Sequence, residues 1–124
     1  MANIDVVSLN GNNFVNLGTQ GIKALIAANT DTEVVNLDLC VGPAARAGAS
    51  STTDCIFVLK EITILQGTSF TWNDNGVIFS PFNTRRNKNL RKHNGSAFVD
   101  LTDQTFLVRA SSAGQTIDLL IRRS

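Results

Sequence analysis

Short stretches in which apolar and polar residues alternate, each closed by Gly, Asn, Asp or Ser, constrain the fold of this chain most. The clearest pair is 106–110 and 117–121, where every second residue is aliphatic or aromatic. A period of two residues is that of a β-strand with one buried face. The SSAGQ segment between the two stretches has turn residues, so we predict a closing hairpin and a strand-dominated antiparallel fold.

Two further hairpins are predicted from turn chemistry. Residues 4–9 and 14–17 flank Asn10-Gly11, a dipeptide that accepts a positive φ at low cost and is typical of tight hairpin turns. After Gly67, the strands SFTW and VIF flank the turn residues Asn-Asp-Asn-Gly at 73–76.

The middle of the chain predicts two longer strands. In residues 33–41 one face is aliphatic and the other is mixed, which indicates a half-buried strand. Residues 55–65, CIFVLKEITIL, are apolar on both faces except at Lys60 and Glu61. We expect a central strand there, with a bend or a bulge at the charged pair.

The segment GIKALIAAN at 21–29 is ambiguous. Ile22, Leu25 and Ile26 have helical spacing, but the stretch is short, follows a glycine and has no good N-cap. Periodicity alone leaves helix and strand open, and the neighbouring strands favour a strand.

Size and composition indicate one folded domain, residues 1–124. The chain is 43% apolar and 17% charged, which is too apolar for disorder and too finely interrupted for a membrane span. Its net charge of +1 argues against a surface dedicated to nucleic acid. The start, MANIDVVSLN, has neither the basic nor the apolar run of a targeting segment, so we expect synthesis in the cytoplasm.

The two cysteines, Cys40 and Cys55, are too few for a disulfide scaffold and lack the spacing of a zinc site. We expect two reduced, half-buried thiols, as is usual in the cytosol. The alternative is a disulfide that closes the loop between them, provided that the assembled product ends up outside a cell.

Two loops stand out. Residues 42–54, GPAARAGASSTTD, are small and long for a hairpin connection, so we expect either a flexible loop tip or a functional loop. Residues 83–94 form a basic loop, with no acidic residue between Asp74 and Asp100. It holds five of the eleven Lys and Arg residues, which are Arg85, Arg86, Lys88, Arg91 and Lys92.

These five residues are the candidate protein-binding site. A basic run is either a solvated loop or an arm that docks on an acidic protein surface. Nucleic acid is the weaker alternative, because the segment itself has no stacking aromatic residue.

Nothing in the sequence has the pattern of a catalytic or metal site. His93 lies among positive charges without an adjacent carboxylate, and Asp100 and Asp103 have the spacing of turn residues. Motifs for nucleophilic, phosphate-binding or zinc chemistry do not occur. Phe70 and Trp72 share one strand face and are more simply core than a sugar platform. We expect no enzyme activity and no cofactor.

The order of three segments, ALIAANTDTEVVNLDLCV, FVLKEITILQGTSFTW and QTFLVRASSAGQTIDLLIRRS, resembles small β-sandwich virion structural proteins of tailed bacteriophages. The resemblance covers residues 21–72 and 105–123 and favours a strand at 22–29. The Leu65-Gln66-Gly67 turn lacks the proline usual in that pattern, and the basic insertion at 83–94 is not part of it.

The resemblance implies an all-β, antiparallel β-sandwich of jelly-roll or immunoglobulin-like type. It also implies a virion location and a decoration or cement role, in which the protein binds the major capsid protein or another virion protein. We expect it to bind as a homo-oligomer, namely a trimer. The alternatives are a neck, tail or fibre component, and a lectin-like binding module with Trp72 and residues 42–54 at its site. Membrane and nucleic-acid partners are not expected.

Overall fold

The computed structural model of the chain describes residues 4–73, 91–100 and 104–123, which are almost entirely β-strands and turns. The first five strands are β1 Ile4–Asn10, β2 Val15–Gly18, β3 Ile22–Asn29, β4 Val35–Pro43 and β5 Ile56–Ile64. The next five are β6 Ser69–Asn73, β7 Arg91–His93, β8 Phe98–Asp100, β9 Gln104–Ala110 and β10 Thr116–Arg123. One turn of 3-10 helix, Ala44–Arg46, follows β4.

Eight of these strands form two four-stranded antiparallel sheets. The first sheet has the order β1-β10-β3-β6, the second sheet has the order β2-β9-β4-β5, and β7 and β8 pair with each other as a separate hairpin. In the sandwich β1 pairs with β10, β2 with β9, β3 with β6 and β4 with β5. This nested pairing is that of an eight-stranded jelly roll. The expected antiparallel β-sandwich is confirmed, and of the two types considered it is the jelly roll.

The main core lies between the two sheets. It is built from the inward-facing aliphatic residues of both sheets together with the fully buried Phe106, and Phe70 and Trp72 pack against it from β6. Burying each such side chain stabilises the fold by about 1.5–3 kcal/mol before entropy costs are counted. Phe70 and Trp72, which share one strand face, are therefore partly buried side chains that pack against the core.

The predicted opening and closing hairpins are both wrong as pairings, although their strands exist. β1 and β2 belong to different sheets, and so do β9 and β10. The turn residues form two corners between the sheets, and these corners touch, since the Gly11 amide donates to the Gln115 carbonyl at 2.7 Å. Gly11 has φ 100° and Gly114 has φ 80°, which explains the glycine at each corner.

The prediction of a half-buried strand at 33–41 is wrong because β4 is buried on both faces. Its outer face is covered by a second, smaller cluster in which Phe14, Ala47 and Cys55 pack around Cys40 and Leu107. Residues 42–54 thus lie over the outside of the second sheet, where backbone hydrogen bonds from Phe14 to Ala49 and from Gly48 to Phe14 hold them.

The strand predicted at 55–65 is β5, and it lies at the edge of the second sheet rather than at its centre. The bulge predicted at the charged pair is confirmed. Glu61 has φ 51°, and the register against β4 shifts on both sides of Leu39. The Asp38 carboxylate accepts a hydrogen bond from the Glu61 amide at 2.7 Å and so stabilises the bulge.

The remaining local predictions have mixed outcomes. Residues 22–29 form strand β3, as expected. SFTW lies within strand β6, whereas the turn after it and the VIF stretch lie outside the described residues. Cys40 and Cys55 are free thiols, as expected, but only Cys55 is half-buried, since Cys40 is fully buried.

Candidate protein-binding site

The predicted basic residues fall into two groups. Arg91 and Lys92 lie on β7, the first strand of the separate hairpin. Arg85, Arg86 and Lys88 lie outside the described residues.

Strands β7 and β8 are joined by a tight turn, and side chains as well as backbone groups define its shape. The Asn94 amide donates to the Ala97 carbonyl at 3.0 Å, and the Asn94 side-chain oxygen accepts from the amides of Ser96 and Ala97. Gly95 has φ 102°, and its amide donates to Nδ1 of His93 at 3.1 Å. Asn and Gly are suited to such a turn because they tolerate a positive φ or bond their own backbone.

The register of the hairpin brings an aromatic side chain against two basic ones. His93 pairs with Phe98 across the strands, and their rings meet edge to face with centroids 5.0 Å apart. The guanidinium of Arg91 lies 5.0 Å from the centre of the same ring. Both contacts follow from the strand period, since Arg91 and His93 are two residues apart and share a face.

Phe98 remains 60% exposed despite these contacts. On the opposite face of the hairpin Lys92 pairs with Val99, which is 47% exposed. Every residue from 91 to 99 is exposed. Each face of the hairpin therefore presents one apolar residue beside basic or aromatic ones.

This arrangement suits binding to a protein surface. An aromatic ring that fills an apolar recess can supply a large share of binding energy, and flanking cations favour a recess with an acidic rim. A cation held over a ring contributes about 0.5–1 kcal/mol at an exposed site, so Arg91 also orients Phe98.

Charge identified the basic strand from sequence, but Phe98 was missed. It lies outside 83–94 and is brought to Arg91 only by the hairpin. The signal available in the sequence was the turn stretch Asn94-Gly95-Ser96 with a basic strand before it and the apolar pair Phe98-Val99 after it.

The two buried charged residues of the described sandwich, Asp38 and Arg123, are each paired with an oppositely charged side chain. Arg109 Nε donates to Asp38 at 2.9 Å, and Arg123 Nε donates to Asp5 at 2.8 Å. Within 4–73, 91–100 and 104–123 no group of three or more His, Cys, Asp and Glu residues is placed to hold a metal ion. The same residues contain no helix long and apolar enough to cross a membrane.

The two features considered for a lectin-like site pack in different places. Trp72 packs against the main core from β6, whereas Ala47, within the 42–54 loop, and Cys55, directly after it, pack in the smaller cluster on the outside of the second sheet. These contacts do not form one shared platform.

Comparison with protein-family models, with curated proteins and with solved structures finds no match to this chain. The functional assignment therefore depends on the fold and on the hairpin that carries Arg91, His93 and Phe98.

Proposed function

We propose that this protein is a non-catalytic virion structural protein that binds and stabilises a capsid surface, and that it docks through the hairpin of β7 and β8. The observation that carries the proposal is the exposed Phe98 ring held between Arg91 and His93. The partner would be a shell protein with an apolar recess and an acidic rim.

The fold supports this class of function by analogy. Jelly rolls are common among viral capsid proteins and lectins, although a fold alone does not fix a function. The packing of Trp72 against the core favours the capsid class over the lectin class. The order of the segments that resemble tailed-phage virion proteins supports the same choice.

Co-sedimentation with capsids that lack this protein tests the proposal. Phe98→Ala should weaken binding about 30-fold or more, the loss expected when a central aromatic anchor is truncated. Arg91→Ala should weaken binding less and make it more dependent on salt, because a charge at the rim mainly affects association.

Matched controls exist elsewhere in the chain. Lys60 lies over the Phe57 ring at 5.2 Å, so Lys60→Ala removes a comparable cation outside the hairpin. Leu65 is an exposed apolar residue in a turn, so Leu65→Ala controls for loss of apolar surface. Neither control should change capsid occupancy. Equal occupancy for Phe98→Ala and the wild type would refute docking through the hairpin.

Binding to nucleic acid is tested in a second assay with the same variants. A basic hairpin with an exposed ring could also stack on a single strand. Binding of a labelled single-stranded oligonucleotide that is lost in Phe98→Ala, without any binding to capsids, would overturn the proposal in favour of that function.

A further inference from the structure

The outer face of the first sheet carries a row of exposed apolar residues. Val6, Leu120 and Ile26 lie side by side on β1, β10 and β3, and Thr71 continues the row on β6. Val6 is 70% exposed, Leu120 43% and Ile26 42%, and Ile4, on the same face of β1, is 66% exposed. A contiguous apolar patch on a sheet face is typical of an interaction surface. We call Val6, Leu120 and Ile26 the apolar row.

The second sheet shows how this protein treats an apolar outer face. There Phe14, Ala47 and Cys55 cover Cys40 and Leu107, so that the chain buries that surface itself. The large exposures on the apolar row show that, among residues 4–73, 91–100 and 104–123, nothing covers the first sheet in this way.

The charges around the apolar row are arranged with opposite signs at its two sides. On β10, Arg122 lies two residues to one side of Leu120 and Asp118 lies two residues to the other side, each about 6.7 Å away along the strand. Lys23, the extra residue at the bulge of β3, is exposed on the side of Arg122. Asp118 accepts a hydrogen bond from Ser8 at 2.8 Å, which fixes its carboxylate on the opposite side.

We propose that a second copy of this chain covers the outer face of the first sheet, related by a two-fold axis that runs along the apolar row. This axis places Leu120 against Leu120 of the other copy and reverses the strand direction. Arg122 then lies over Asp118 of the other copy, and the same contact repeats on the other side of the axis, as an isologous interface requires. On β3 the small side chains Ala24 and Ala28 oppose each other and let the sheets approach to the usual separation of about 10 Å.

The area of this sheet face sets the expected affinity of the dimer. Four strands about 4.8 Å apart and eight residues of about 3.3 Å outline roughly 500 Å² per copy, below the roughly 800 Å² per partner of a standard interface. The pair should therefore form in a concentration-dependent way, at about micromolar or higher concentrations. This pairing is independent of the hairpin, and it differs from the trimer that the phage-protein resemblance implies.

Sedimentation equilibrium of the purified chain over a range of concentrations tests the proposal. The wild type should change from monomer to dimer with rising concentration. Leu120→Lys places a charge on the axis against its own copy, so it should reduce association by about 30-fold or more. Leu65→Lys, an equivalent change at an exposed leucine outside this face, should leave the dimer unchanged.

Charge reversal distinguishes the two-fold arrangement from unspecific apolar contact. Arg122→Asp alone and Asp118→Arg alone should each weaken the dimer, because like charges then oppose each other. The double variant should recover it. A mixture of the two single variants should form a heterodimer more strongly than either variant forms a homodimer, because both charge contacts are restored.

Three results would overturn the proposal. The first is a wild type that stays monomeric at every concentration, and the second is a mass that fits a trimer. The third is a charge-reversed pair that fails to recover association while circular dichroism shows each variant folded.

Discussion

Arg109 joins three parts of the chain that are distant in sequence. Its Nε donates to Asp38 on β4, and its Nη1 donates to the carbonyls of Ser50 and Asn12. Its guanidinium also lies 4.4 Å from the centre of the Phe14 ring. One side chain thus holds the 42–54 segment and the chain before β2 against the outer face of the second sheet.

Removing Asp38 should therefore be strongly destabilising. The side chains of Asp38 and Arg109 are 3% and 11% exposed, so Asp38→Ala leaves a charge buried without its partner. We expect a loss of about 3–5 kcal/mol in the free energy of unfolding, measured by urea denaturation.

Arg46→Ala is the control, because the Arg46 and Asp54 side chains are 27% and 75% exposed and 4.0 Å apart. It should cost about 1 kcal/mol or less. A similar small loss for Asp38→Ala would mean that the Arg109 contacts contribute little to stability.

The two thiols should differ sharply in reactivity. Cys40 is fully buried, and burial, followed by the charge and the hydrogen bond of Cys55, raises the pKa of the Cys40 thiol well above its ordinary value. The thiolate is the reactive form, so Cys40 should resist iodoacetamide in the native protein, whereas the partly exposed Cys55 should react. Intact mass should show one adduct under native conditions and two in denaturant. Two adducts in the native protein would contradict this.

The same raised pKa links stability to pH. The folded protein binds the Cys40 proton more tightly than the unfolded chain does. The resulting stabilisation is complete below the unfolded pKa of about 8.5 and decreases as the pH rises towards the folded value, by at most about 1.4 kcal/mol per pH unit. The chain has no tyrosine, so this alkaline loss is not mixed with phenol titration. Urea midpoints between neutral and alkaline pH should fall for the wild type and fall less for Cys40→Ala.

At the level of elements, the bulge of β5 depends on a residue in a backbone conformation that suits glycine. Glu61 has φ 51°, which costs a residue with a Cβ about 1–2 kcal/mol. Glu61→Gly keeps the backbone amide that donates a hydrogen bond to the Asp38 carboxylate. This change should leave the midpoint of thermal unfolding unchanged or raise it slightly. Glu61→Val should be destabilising, because a β-branched side chain is least compatible with this φ. Equal effects of both changes would contradict the assignment of strain to this position.

The strands could be predicted from the sequence, whereas their partners could not. Alternation tells which face of a strand is buried but not which strand lies beside it. Asn10-Gly11 and 111–115 have hairpin chemistry, yet each carries the chain from one sheet to the other. Burial of β4 on both faces was equally hidden, because the segment that covers it, 42–54, is small and polar and has no pattern of its own.

The candidate site could be predicted only in part, because the sequence shows which residues are charged but not which residues lie beside them. The basic charge is a property of the local sequence, so Arg91 and Lys92 could be named as candidates from the sequence alone. The contact of Arg91 with Phe98 depends on the hairpin register, which in turn depends on the turn at 94–97. The charge composition of the sequence does not show that Arg91 and Phe98 lie together.

At the scale of the whole molecule, the nested pairing makes some turns of the chain more important than others for the stability of the fold. Ile4 pairs with Arg122, so the two ends of the described sandwich lie side by side on β1 and β10. The corner at 111–115 is hydrogen-bonded to other segments. The Gln115 carbonyl accepts from the Gly11 amide, and the Gln115 side chain accepts from the Asn36 amide and donates to the Val34 carbonyl. The turn at Gly95-Ser96, in contrast, lies in the exposed hairpin outside the sandwich.

Circular permutation tests this difference. Joining the two ends by a short flexible linker and opening the chain between Gly95 and Ser96 breaks no strand pairing of the sandwich, because β1 and β10 are already adjacent. This permutant should keep the circular dichroism spectrum and nearly all of the free energy of unfolding, and it should lose capsid binding if the hairpin docks.

The second permutant opens the same joined chain between Ala113 and Gly114. This cut frees the corner that the hydrogen bond between Gly11 and Gln115 holds together, and it removes the connection between β9 and β10, which lie in opposite sheets. We expect that second permutant to be several kcal/mol less stable in urea, since a corner with several hydrogen bonds is lost at about 0.5–1.5 kcal/mol each and the chain gains entropy there. Equal stability of the two permutants would mean that the corners are passive connections and that pairing within the sheets alone sets the fold.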